Sequence, residues 1–149
     1  MGPIDPTRLK EHVHGHLGWL AALALAHPAI LLRRIHCRAH WAVGLSAGIV
    51  TLAAALGAAT YPAYRETLRQ PIFAGARAIG YLFERKEHLA FGAVGLSWVG
   101  AVAYAVAPRA DPVTRELLRR AAHRSFVAAA LFGAAAAILG TLVAAYRTF

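Results

Sequence analysis

Histidine is the residue type in this sequence that most clearly suggests metal binding or proton transfer. The 149 residues hold eight histidines but only seven Asp and Glu residues in total. A neutral imidazole binds transition metals and haem iron, and it exchanges a proton near neutral pH. Five of the histidines lie in or at the ends of apolar stretches, at His16, His27, His40, His88 and His123. They are the first candidates for metal or cofactor ligands.

The elements that hold these histidines are expected to lie in a membrane. The chain is 58% apolar and 15% charged, whereas soluble domains are about 45–50% apolar and about 25% charged. A chain of this length in water would leave a large apolar surface exposed. Disorder is excluded by the same composition, and a disulfide scaffold is excluded because Cys37 is the single cysteine.

Four stretches are long enough and sufficiently free of charge to cross a bilayer, which takes about 20 helical residues. They run over residues 16–32, 39–60, 88–107 and 125–146. The N-terminal segment is too polar and acidic for a cleaved signal, so the first stretch is expected to be a retained helix. The predicted fold is all-α, an integral-membrane four-helix up-down bundle forming one domain over residues 1–149.

The connections between these stretches define two membrane faces. Face A holds residues 33–38 and 108–124, and face B holds both termini and residues 61–87. The 16 Lys and Arg residues divide equally between the faces, so the orientation rule gives a tie. The density of arginine in the shorter face A loops favours termini outside a bacterial-type inner membrane. Charge at the borders of apolar stretches also suits lipid headgroups and argues against nucleic acid.

The face B connection alternates aromatic and charged side chains, including Tyr61, Tyr64, Phe73, Tyr81 and Phe83. This pattern predicts an amphipathic segment that lies in the membrane interface between the second and third spans. A surface helix is the simpler interpretation, and a lid over a bound ligand is the functional one.

An up-down bundle places the first and third helices, and the second and fourth, diagonally across from each other. His16 would then meet His88 near face B, and His123 would meet His40 or His27 near face A. Two neutral imidazoles facing each other are what bis-histidine haem iron needs. Arg33 and Arg124 would pair with haem propionates. Stripes of Gly and Ala on the same helices leave room for a porphyrin, or for plain helix packing.

This layout resembles the four-helix membrane b-type cytochromes, which carry one haem near each face. The resemblance rests on the histidine positions over roughly 130 residues, without a family signature. It implies electron transfer through one or two haem b groups, with quinone or a redox protein as partner.

Several alternatives stay open at this point. Histidines at helix ends often only bridge headgroups and water. The chain would otherwise be a haem-free accessory subunit that packs on a larger complex or on its own copies, or a small carrier in which His27 relays protons or binds a cation. The HVHGH cluster from His12 to His16 would bind a metal weakly. Glu84 would either orient His88 or simply favour the start of a helix.

Overall fold

Helices make up all the secondary structure in the part of the chain that the structure describes. The computed structural model describes residues 6–34, 38–67 and 69–146. The helices are α1 (Pro6–Leu31), α2 (His40–Thr67), α3 (Arg69–Gly75), α4 (Arg77–Val106) and α5 (Pro112–Tyr146), with a single 3₁₀ turn over Ala107–Arg109. The all-α prediction is confirmed.

The helix ends near face A follow from local chemistry. Pro108 lies in the 3₁₀ turn that ends α4, where a residue without an amide donor is tolerated. The next helix starts after Asp111, whose carboxylate accepts hydrogen bonds from the amides of Val113 and Thr114, each at 3.1 Å. These two bonds satisfy amides that have no partner inside the first turn of α5.

The four long helices form a ring in which each packs on two others. α1 and α4 both lie between α2 and α5, so α1 is diagonal to α4 and α2 is diagonal to α5. At each interface between neighbouring helices, a residue near the start of one helix contacts a residue near the end of the other. Neighbouring helices are therefore antiparallel. The contacts that establish this order are Ser46–Ala24, His14–Gly57, Thr51–Trp98, His40–Tyr104, Gly92–Phe132, Gly100–Phe126, Trp19–Thr141 and Leu25–Gly133.

Small residues hold the helices close together. The core is mostly alanine, with Phe126 and Leu25 as its largest fully buried side chains. A Cβ atom on Gly100 would lie 2.9 Å from the Phe126 ring, so only glycine allows α5 to approach α4 here. Close backbone approach of this kind is the usual basis of helix association where lipid surrounds the helices.

Within the described residues, three helices are long and apolar enough to cross a membrane: His40–Thr67, Arg77–Arg109 and Pro112–Ala145. These helices contain the predicted spans 39–60, 88–107 and 125–146, except for residue 39 at the start of the first span and residue 146 at the end of the last. The first predicted span, 16–32, lies in a helix as expected, but α1 is not among these three. Its histidines lower the hydropathy that a spanning helix needs, because imidazole is polar.

The predicted interfacial segment is largely continuous with the long helices. α2 continues to Thr67 and α4 starts at Arg77, so only the short helix α3 lies between them. The aromatic rings of this segment pack on each other: Tyr64 stacks on Phe83 with ring centres 3.8 Å apart, and Phe73 meets Tyr81 edge-on.

Candidate functional site

His16 and His27 lie on the outer surface of α1. Both side chains are exposed, and the large apolar residues Leu20, Leu23 and Ile30 are exposed beside them. The two histidines are eleven residues apart, which is close to three helical turns, so they lie on one face of α1. The face points away from the ring of helices.

His40 lies at the α2–α4 seam against Tyr104. The two rings meet edge-on with centres 5.4 Å apart, and the Tyr104 hydroxyl lies 3.3 Å from His40 Nδ1. The same hydroxyl accepts a hydrogen bond from the Ala39 amide at 2.8 Å. Its own proton is therefore free to point at His40 Nδ1.

His88 is exposed, and its ring orientation is fixed by its own helix. Its Nδ1 lies 2.7 Å from the carbonyl oxygen of Glu84. Because a carbonyl only accepts, Nδ1 carries the proton and Nε2 keeps an outward lone pair. The carboxylate of Glu84 does not orient this ring but pairs with Arg69 at 3.2 Å.

Arg33 and His123 are the two predicted site residues that the structure places together. They line a cleft of about 210 Å³ between the end of α1 and the start of α5, together with Leu32, Glu116, Arg119 and Arg120. We call this site the Arg33 cleft. His123 Nδ1 is buried there with no hydrogen-bond partner. Arg124 is exposed and is not among the residues that line the cleft.

The predicted haem ligands are otherwise apart. Over residues 6–34, 38–67 and 69–146, no hydrogen bond or ring contact joins His16 to His88, or His123 to His40 or His27. No group of three His, Cys, Asp or Glu side chains converges in those ranges either. The haem ligands therefore stay predictions. His36, Cys37 and Arg147 lie outside the described residues.

A different pair of basic side chains lies at the opposite end of the ring, within electrostatic reach of each other. His14 of α1 lies against Gly57 of α2, where a Cβ atom would be 2.8 Å from the ring. Lys86 of α4 lies against Gly140 of α5, where a Cβ atom would be 3.5 Å from its side chain. All four long helices thus contribute to one site, which we call the His14–Lys86 centre.

The electrostatics of this centre favour an uncharged imidazole. Burial lowers the pKa of His14, and the positive charge of Lys86 lowers it further, against a smaller opposing effect of the Ala53 carbonyl. His14 Nδ1 is buried without a hydrogen-bond partner. The ammonium group of Lys86 lies 4.3 Å from the centre of the Phe83 ring, which is the geometry of a cation–π contact.

The sequence contained a signal for this centre that the histidine pattern alone did not use. His14 lies eleven residues before the fully buried Leu25, which is close to three helical turns. Lys86 lies seven residues, or about two turns, before the buried Ala93. The sequence pattern alone nevertheless predicts only weak metal binding for the HVHGH motif, and it places Lys86 among the charges of face B.

These features define an all-helical protein with three candidate membrane spans and basic sites at both ends of a helix ring. No protein-family model, curated protein or solved structure matches this chain.

Proposed function

We propose that this chain is a small membrane proton carrier in which the His14–Lys86 centre takes up and releases the proton. α1 serves as the fourth span over residues 16–32, so His14 lies at the membrane boundary. The observation that carries this proposal is the half-buried His14 ring, whose Nδ1 atom is buried and has no hydrogen-bond partner. Buried polar atoms in native structures nearly always have a partner, so an unpartnered one calls for a functional explanation.

The chemistry follows from the two bases. His14 is neutral at rest. The Ala53 carbonyl accepts a hydrogen bond from the ring, and because Nδ1 has no partner, Nε2 carries the proton and the lone pair of Nδ1 is free to accept another. Lys86 keeps this proton from being held tightly, because its charge lowers the pKa of His14. A base that releases its proton readily is what a carrier needs in order to unload it.

The proton site proposed here differs from the one that the sequence suggested. His27 was the relay expected from its position inside an apolar stretch. Its side chain is exposed on the outer face of α1, whereas His14 packs against Gly57 and lies within electrostatic reach of Lys86. A bacterial inner membrane and external termini stay predictions.

Proton flux into liposomes tests this proposal. The purified chain is reconstituted with an internal pH dye, and a potassium gradient with valinomycin drives proton entry. We expect wild type to exceed empty liposomes clearly and His14→Gln to fall close to their level. His12→Gln changes an exposed histidine two residues earlier and should behave as wild type. Equal fluxes for wild type and His14→Gln, both proteins eluting as the same folded species, would overturn the proposal.

A b-type cytochrome is the second candidate, and the His88 ring favours it. With Nδ1 bonded to a carbonyl, Nε2 is oriented as metal-ligating histidines usually are. Haem iron would supply one-electron transfer. His16 and His88 would hold one haem near face B. His123, with His40 or His27, would hold the other near face A, with Arg33 near a propionate. A red preparation whose Soret band sharpens on dithionite reduction, and which loses about half of its haem in His88→Ala, would support this candidate. A colourless preparation after expression with added haem would dispose of it.

A further inference from the structure

We propose that the Arg33 cleft binds the phosphate of an anionic membrane lipid. The cleft lies where the apolar part of α1 ends and α5 begins, and its lining combines Leu32 with four charged side chains and His123. This inference goes beyond the proposed proton carrier and shares with it only the membrane location.

The charges of the cleft select an anion. Arg33, Arg119 and Arg120 line it together with one carboxylate, Glu116. Glu116 already accepts a hydrogen bond from Arg120 Nε at 2.7 Å. The terminal guanidinium nitrogens of Arg120 are left free by that bond, and no ion pair among the described residues involves Arg33 or Arg119. Guanidinium groups grouped in this way bind phosphate oxygens strongly.

The surroundings favour a lipid as the source of the phosphate. Leu32 lines the cleft, and Ile30, two residues earlier on α1, is 63% exposed. Both belong to the apolar stretch 16–32 and lie on the membrane side of Arg33, so acyl chains can contact them while the headgroup reaches the arginines. Basic pockets between membrane helices are a recurrent way to bind anionic headgroups. A soluble phosphate would gain nothing from these apolar side chains.

Lipid binding to the purified full chain provides the test. The chain in neutral detergent is titrated with phosphatidylglycerol or with phosphatidylcholine, and bound lipid is counted by native mass spectrometry. Wild type should bind phosphatidylglycerol at least about tenfold more tightly. Each Lys or Arg near an anionic headgroup contributes roughly fivefold in affinity, so Arg33→Gln with Arg119→Gln should weaken binding by about thirtyfold.

Two further variants make the outcome specific. Arg77→Gln with Arg85→Gln removes the same charge from exposed positions on α4 and should leave phosphatidylglycerol binding within about twofold of wild type. Glu116→Gln removes the one carboxylate and should tighten binding by roughly fivefold on the same scale. Equal binding of the two lipids, or an unchanged affinity in the Arg33–Arg119 double variant, would overturn the proposal. Competition by millimolar inorganic phosphate would instead assign the cleft to free phosphate and would equally overturn the lipid assignment.

Discussion

The His14–Lys86 centre and the Arg33 cleft lie at opposite ends of one helix ring. Both contain basic side chains, but the two sites differ in how far those side chains are packed away from solvent. At the first site the bases are packed between helices against Gly57 and Gly140. At the second, guanidinium groups line an open cleft. Burial changes the proton affinity of a base, whereas arginine keeps its charge in either setting. The first site is therefore suited to proton exchange and the second to binding an anion.

The largest effect is expected from a core residue about one helical turn from the Arg33 cleft. Phe126 is fully buried and lies three residues after His123. Phe126→Ala should lower the free energy of unfolding by about 3–5 kcal/mol, because it removes a large side chain and leaves a cavity. Denaturation in detergent measures this loss. Phe91→Ala, at a 70% exposed position, should change stability far less; similar losses in the two variants would contradict the described core.

Two glycines of α2 test the packing at the other end of the helix ring, at the His14–Lys86 centre. A Cβ at Gly57 would lie 2.8 Å from the His14 ring, while nothing lies within 4 Å of a Cβ at Gly48. Gly57→Ala should destabilise the protein by about 1–3 kcal/mol through overpacking. Gly48→Ala should be neutral, or stabilising by up to about 1 kcal/mol, because alanine favours helix. The same denaturation assay checks both, and equal effects would mean that His14 does not pack on Gly57.

The lowered pKa of His14 predicts a pH dependence of stability with a definite sign. Below the usual histidine pKa of 6.5 the unfolded chain binds a proton at His14 that the folded chain does not. Stability contributed by this site is therefore complete above pH 6.5 and declines as pH falls towards the folded pKa, by at most about 1.4 kcal/mol per pH unit.

Unfolding measured from pH 8 to pH 5 checks this sign. His14→Gln should flatten the dependence, and His12→Gln should leave it as in wild type. A wild-type protein whose stability grows on acidification through a His14-dependent effect would refute the buried, neutral state of His14.

The smallest effect is expected at the start of α5. The Asp111 carboxylate caps two amides. Its pKa is lowered by a hydrogen bond from the Thr114 side chain and, to a smaller extent, by these amide bonds. Asp111→Ala should speed hydrogen exchange at Val113 and Thr114, while Asp111→Asn keeps an acceptor and should preserve most of the protection. Because the folded pKa is lowered, the cap is complete above the usual Asp pKa of 3.8 and weakens as pH falls through the folded value. Unchanged exchange in Asp111→Ala would show that the cap is not formed.

The fold was more predictable from the sequence than the sites were. Long apolar stretches without charge predict helices directly, since only intra-helical hydrogen bonding satisfies the backbone there. Which face of a helix points inward depends on a rotation of about 100° per residue. That rotation places His14 and His16, and likewise Lys86 and His88, on different sides of their helices. A small error in the assumed rotation of a helix about its axis therefore moves a candidate residue from the interior to the surface. The contacts of His14 with Gly57 and of Lys86 with Gly140 define this rotation, and they form only when the neighbouring helices are packed.

The titration of the His14 imidazole by NMR, in wild type and in Lys86→Met, tests the account most directly. The account predicts a His14 pKa below 6.5 in wild type and a higher value once the Lys86 charge is removed. A wild-type pKa at or above 6.5 that does not move in Lys86→Met would contradict it.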